Sequence, residues 1–208
     1  MSNTDHLYMP ENHMDELYNS GNPLVKFVHR QRLNEIAKLV PNADGLKILD
    51  AGCGEGHLLQ KLYQKNNTND YYGVDITPIA LEKARLRFPQ GKYYLANLAK
   101  MDFTDNFFDV IVITEVLEHV IDYEIVVNEL KRVLKSGGIL IITFPNEVLW
   151  TVSRFFLRRR PVKILDHVNS FTPDFLQNIL QLKLTAQRNL PFRLPFSVSL
   201  GALMVFKK

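Results

Sequence analysis

The sequence predicts an α/β fold: a doubly wound sheet of seven strands, mostly parallel. Three observations predict it. Short β-rich apolar runs alternate with stretches whose apolar residues recur every three or four positions, from Ile48 to Phe206. One run, Phe108–Ile113, is apolar apart from Asp109, as expected of a central strand covered on both faces. The first run ends in an acid and a glycine-rich turn, Asp50-Ala-Gly-Cys-Gly-Glu-Gly56, and a helical pattern begins at His57. Strand, turn and helix in that order place a ligand at the carboxyl end of a strand.

Composition narrows the class. A chain of 208 residues, 46% hydrophobic and 23% charged, can bury a full core, and a single domain over 1–208 is expected. The net charge of +3 is too mild to argue for nucleic acid, so a nucleic-acid partner is not expected. The one cysteine, Cys53, excludes an intrachain disulfide framework. No opening apolar run resembles a signal peptide, and no run of about 18 apolar residues suggests a membrane span. A cytoplasmic enzyme is the expectation.

Taken in order, Met1–Pro10 reads as loose, and Leu24, Phe27, Val28, Ile36, Leu39 and Val40 mark a helix ending at Pro41-Asn-Ala-Asp-Gly45. Residues 1–45 form an N-terminal helical lid, beginning in earnest around Tyr18. Ile48–Ala51 is a strand and Gly56–Gln64 a helix. Tyr71–Val74 is the second strand, closed by Asp75. Thr77 caps a helix over Ile79–Phe88 with Pro78 in its first turn. Lys92–Leu95 and Phe108–Ile113 are the third and fourth strands, joined by the segment Asn97–Asp105. Asp122 caps a helix with Ile125, Val126, Leu130, Val133 and Leu134 as its apolar positions, and Lys135-Ser-Gly-Gly138 stops it. Ile139–Thr143 is the fifth strand. Glu147–Leu157 and Asp174–Leu182 read as helices, and 146–180 as a substrate-cover insertion. Leu184–Asn189 and Val198–Phe206 are the last strands.

The turn's glycines follow G-x-G-x-G. The dinucleotide-binding fingerprint wants its third glycine one residue later, and a carboxylate at Asp50 would repel a pyrophosphate. The same carboxylate suits a cationic ligand. This motif, together with Asp75, Phe107-Phe-Asp-Val110, Leu130–Gly138 and the closing Leu203–Phe206 strand, resembles the class I S-adenosylmethionine (SAM)-dependent methyltransferases over nearly the whole chain. Within them it is most like the methyltransferase type 11 and ubiquinone-pathway O-methyltransferase group. The resemblance implies a Rossmann-like fold with the last strand antiparallel, SAM as methyl donor and S-adenosylhomocysteine as its product. It implies that Gly52 and Gly54 lie against the methionine part, with Cys53 filling the turn between them, and that Asp50 sits beneath. Asp75 would accept both ribose hydroxyls, which one carboxylate can do. Ile76 would lie against the adenine, Asn97 would hold its amino group, the Leu98 N–H would meet a ring nitrogen, and Thr114 would face the methionine end.

A second constellation is Thr114-Glu-Val-Leu-Glu-His-Val120. If helical, it puts Glu115, Glu118 and His119 on one face, with His167 arriving from Asp166-His-Val-Asn-Ser-Phe-Thr-Pro173. The set resembles the E-x-x-E-H…H arrangement of ubiquinone-pathway and small-RNA 2′-O-methyltransferases, in which Mg²⁺ would gather substrate hydroxyls. Glu115, Glu118, His119 and His167 are therefore the candidate metal set, although a bound metal is not the leading reading. The leading reading makes His119 a general base with Glu118 beside it. A purely structural role also stays open. A third feature, Trp150–Arg160 with Lys163, mixes apolar residues with four arginines. It reads as a lipid-reaching interfacial helix with peripheral membrane contact over 147–163, as an RNA or phosphate contact, or as an ordinary cover. The expected function is methyl transfer to a small-molecule or lipid-like acceptor at oxygen; the alternatives are an RNA methyltransferase or a non-catalytic SAM-binding regulatory module.

Overall fold

The computed structural model describes residues 21–156 and 167–208. Expectations for Met1–Pro10, for the start of the lid at Tyr18, and for Leu157–Asp166 with Arg158, Arg159, Arg160 and Lys163, lie outside the described residues. The chain enters through α1 (Pro23–Leu39), then β1 (Lys47–Ala51), α2 (His57–Lys65), β2 (Asp70–Asp75), α3 (Pro78–Arg87) and β3 (Lys92–Leu95). It continues through β4 (Phe108–Thr114), α4 (Tyr123–Val133), β5 (Leu134–Pro145), α5 (Glu147–Phe156), α6 (Pro173–Leu180), β6 (Lys183–Leu190) and β7 (Gly201–Lys207).

Among the described residues the strands form one sheet in the order β3-β2-β1-β4-β5-β7-β6, with β7 antiparallel to both its neighbours. The expected Rossmann-like sheet is the observed one. From β1 the chain winds outward to β3, then returns to place β4 on the other side of β1. The strand order therefore reverses between β1 and β4, and in open α/β sheets ligands bind at the carboxyl ends of the strands at such a point.

Side-chain alternation along the strands builds two cores. Leu49, Ile111, Leu140, Ile142 and Met204 face one side and meet α4 and α6 through Val126, Leu130, Leu176 and Leu180. Ile48, Val110, Val112, Ile141 and Leu203 face the other and meet α1 to α3 through Leu33, Ile36, Leu59, Leu62 and Leu81. Because both faces are covered, β4 can be apolar at consecutive positions.

Several local expectations need correction. Thr77 and Asp122 stand at the N-cap positions of α3 and α4, but neither side chain bonds a helix N–H. Thr77 N–H instead donates to the Asp75 carboxylate at 2.8 Å. Lys135–Gly138 is not a helix tail. Leu134 already pairs with Phe108, and the segment enters β5 through an irregularity in which Gly137 takes φ +78°. Ile125 is exposed, because the buried stripe of α4 runs through Val126, Val127, Leu130 and Val133. β7 begins at Gly201 rather than Val198; Phe196–Val198 forms a short 3-10 turn.

Candidate active site

The cradle is built by the β1–α2 turn. Gly52 and Gly54 take φ +80° and +48°, the left-handed region that costs other residues about 1–2 kcal/mol. At Gly52 space adds a second demand, since a Cβ there would come within 2.4 Å of Val116 Cγ2. Gly52 N–H and Cys53 N–H both donate to Val74 O, at 2.8 and 3.0 Å, which fastens the turn to the end of β2. Gly54 N–H donates to Asp75 Oδ2 at 2.8 Å, and Thr77 N–H to Asp75 Oδ1 at 2.8 Å. The carboxylate is thus oriented by one backbone donor on each oxygen, and each oxygen keeps further accepting capacity.

Asp50, next to the last residue of β1, is almost fully buried, and burial, with the nearby Asp75 charge, pushes its carboxyl up to about 8. Cys53 is buried as well, and burial pushes its thiol well up, so it acts as a space-filling side chain. Its sulfur occupies the room that a side chain at Gly73 would need, together with the Tyr93 ring; a Cβ there would fall 2.8 Å from each. Ile76 is half-buried just past Asp75. Asn97 is exposed and its side-chain oxygen accepts from Ala99 N–H at 2.8 Å, while Leu98 is buried against the sheet.

Across the crevice, Thr114 is the last residue of β4, and its buried hydroxyl has no hydrogen-bond partner within the protein. The expected helix through 114–119 does not form. Glu115 N–H still donates to Thr143 O, but Glu115 then takes φ +52°, and only Leu117–His119 makes a 3-10 turn. This sharp corner drops Val116 over Gly52 and separates Glu115 from its expected companions. Its carboxylate meets Arg32 of α1 at 2.9 Å instead. Glu118 turns inward and is 1% exposed, with neither carboxylate oxygen hydrogen-bonded. Burial pushes its carboxyl well above the usual range; the Glu115 charge adds to this, and Arg32 partly opposes it.

His167 comes from the segment before α6. Val168 and Asn169 N–H groups both donate to Glu118 O, at 2.9 and 3.0 Å, which pins that segment to the 3-10 turn. The His119 and His167 rings meet edge to face at 4.6 Å, and ligand atoms of Glu118, His119 and His167 lie within 4.8 Å of one another. Glu147, the first residue of α5, bonds His167 Nδ1 at 2.6 Å. The fold therefore assembles three of the four candidate metal residues, and Glu147 bonds one of them, His167. Arg32 and Glu147 carried no motif in the sequence.

Residues 49–142, which hold the cradle and the 3-10 turn, match the family model described as a methyltransferase domain. A probable S-adenosylmethionine-dependent methyltransferase of Mycobacterium tuberculosis is 32% identical over 117 residues, 56% of this chain and 42% of that protein. The solved TehB-like SAM-dependent methyltransferase of Corynebacterium glutamicum superposes with a TM-score of 0.65 at 25% identity, covering 94% of each chain. Together these matches support a class I SAM-dependent methyltransferase.

A ubiquinone biosynthesis O-methyltransferase of Mesorhizobium japonicum is 33% identical over 111 residues, 51% of this chain and 43% of that protein. The matched stretch thus spans less than half the length of these curated relatives. Within the methyltransferase fold, the residues present suit SAM. A backbone cradle without side chains, a carboxylate held with spare acceptor capacity, and a buried acid ready to meet positive charge complement a nucleoside bearing a cationic tail.

Proposed function

We propose that this chain transfers a methyl group from SAM to an oxygen of a small-molecule or lipid-like acceptor. The observation that carries the reading is the Gly54–Asp75 cradle at the point where strand order reverses, facing a second wall of Glu118, His119 and His167. When bound, SAM supplies a methyl group on a positively charged sulfur.

The chain's own residues would position the partners and exclude water. Gly52 and Gly54 let the backbone approach the methionine part, and Asp75 accepts from the ribose hydroxyls. Asp50 offers negative charge to the cationic tail, and Ile76, Asn97 and Leu98 flank the base. Arg32, buried and paired with Glu115, is placed to meet a carboxylate in exchange. His119 takes the acceptor's proton, while Glu118, whose carboxyl is pushed up by burial, borders the acceptor. Helix α1 and the 146–180 segment would form the walls on either side. Transfer to oxygen is supported by the similarity to a ubiquinone-pathway O-methyltransferase.

Calorimetry with SAM tests the first half: Asp75→Ala should weaken binding by at least about tenfold, the loss of roughly one charge-assisted bond. Incubating the protein with labelled SAM and fractionated lipid, RNA, protein and small-molecule pools tests the second. Binding without any labelled product would leave a SAM-binding module, and label in RNA alone would replace the acceptor class.

The unbonded carboxylate of Glu118 beside two imidazoles favours one further reading, a divalent cation held by Glu118, His119 and His167. Full activity in excess chelator would rule it out.

A further inference from the structure

The two segments that hold His119 and His167 share an apolar surface that neither core uses. Residues 118–120 and 167–169 run side by side: the Val168 and Asn169 N–H groups donate to Glu118 O, and Asn169 Nδ2 donates to Val120 O. Just beyond, Tyr123 meets Phe171 at 5.3 Å and Phe175 at 6.3 Å, which joins the first turns of α4 and α6. On this seam Ile121, Ile125, Val168 and Phe175 are 53%, 53%, 48% and 44% exposed. Helix α4 follows β4, and α6 leads to the start of β6, which runs in the same direction as β5. Both first turns therefore stand at the carboxyl edge of the sheet, the edge that carries the glycine cradle.

Size, place and charge say what this surface takes. Four side chains are far fewer than the about 20–30 residues a side of a stable protein interface, so a small ligand fits the seam and a second copy does not. Val168 follows His167 and Ile121 lies two residues past His119, so the seam continues outward from the imidazole pair. Its borders are acidic. Asp122, Glu124 and Asp174 are exposed beside it, and no lysine or arginine occurs between 115 and 130 or between 167 and 182. Arg32, which comes from α1, is paired with Glu115. A phosphate or carboxylate laid on the seam would meet like charge and no cation from either segment. An uncharged apolar arm would instead gain from burial in proportion to the area it covers.

We propose that Ile121, Ile125, Val168 and Phe175 form the subsite for the apolar arm of an uncharged methyl acceptor. The reacting oxygen points in toward His119, and the arm lies outward along the seam with one side in water. An arm held on an open surface is selected for polarity more than for length. The assignment rests on the methyl-transfer reading above and narrows its acceptor to compounds without an anionic group.

Two measurements with the full chain separate the subsite from the reaction. The first needs no turnover: prodan, an uncharged fluorophore, and 1-anilinonaphthalene-8-sulfonate, an anionic one, are titrated against wild type and the double variant Ile121→Ser with Val168→Ser. Wild type should bind prodan at least about tenfold more tightly than the sulfonate. The double variant should lose at least about fivefold in prodan affinity, with circular dichroism and SAM affinity unchanged. The second incubates labelled SAM with lipid and small-molecule pools. The labelled product should extract into organic solvent, pass an anion exchanger unretained, and fall at least about fivefold with the double variant at limiting pool. The pool that yields it tells a lipid from a small molecule. Equal prodan affinity for wild type and double variant, tighter binding of the sulfonate, or a labelled product retained on the exchanger would each overturn the subsite and leave methyl transfer standing. SAM binding without product in any pool would sink the methyl-transfer reading, and prodan affinity lost in the double variant would still support the apolar subsite.

Discussion

At the scale of single residues, Asp50 makes the site pH-sensitive. Its carboxyl is raised to about 8 in the protein, against an ordinary value near 4 for an exposed acid. The protonated form is favoured by folding. The stability this gives is fully present below about pH 4 and is lost as pH rises toward 8. Asp50→Asn should therefore stabilise the ligand-free protein at pH 8 relative to wild type, by up to a few kcal/mol, and flatten its stability profile between pH 4 and 8. Binding of a cation reverses the preference and expels the proton. SAM affinity should rise from pH 6 to 8 with proton release, read by calorimetry in buffers of different ionisation enthalpy; an unchanged affinity would remove Asp50 from the ligand's surroundings.

Glu118 makes a related prediction. A carboxyl held neutral is closely matched by an amide, so Glu118→Gln should fold and bind SAM as wild type does. If a cation binds there, Gln would instead abolish metal-induced stabilisation. Gly73→Ala should cost about 1–3 kcal/mol by overpacking, measured by denaturant unfolding, because Cys53 and Tyr93 already fill the space. The glycine-rich turn was legible in the sequence because its constraint is local: positive φ and close approach demand glycine wherever the turn occurs. Gly73 was not, because what excludes a side chain there is a sulfur 20 residues away and a ring on the adjacent strand.

At the scale of elements, α1 is fixed to the sheet by charge. Glu35, 5% exposed, receives Lys38 at 2.7 Å, Arg188 of β6 at 2.6 Å and Arg193 at 3.1 Å. These cations, against the cost of burial, hold its carboxyl down to about 2. Its contribution to stability is present above the ordinary carboxylate pKa and is lost as pH falls toward 2. Glu35→Gln should lower stability by about 1–3 kcal/mol near neutral pH and make the acid limb of the unfolding curve less steep. The helix was legible from its periodicity. Its docking was not, because Arg188 and Arg193 sit in a strand and loop more than 150 residues on. The same limit explains the stretch 114–119: three- and four-residue spacing is shared by helices and by turns that reverse, and only the pairing of Glu115 N–H with Thr143 O shows where the strand stops.

At the scale of the molecule, stability rests on the sheet between its two cores. Ile142 of β5 is fully buried in one of them, whereas Leu86 of α3 is 83% exposed. Ile142→Ala should cost about 2–5 kcal/mol in a cooperative denaturant transition, and Leu86→Ala about 0.5 kcal/mol or less. The contrast follows from which face each side chain occupies, and that alternation could be read from the strand patterns.

The sequence by itself determined the element order, the mostly parallel sheet and the ligand cradle at 50–56. Those depend on backbone sterics and hydrophobic period, which act between near neighbours in the chain. Only the tertiary structure decided that Glu115 leaves the acidic cluster for Arg32, that Glu147 joins His167, and that Glu118 is buried with both oxygens unbonded. Those facts are set by where separate elements meet, and electrostatics and burial act through space without regard to separation along the chain.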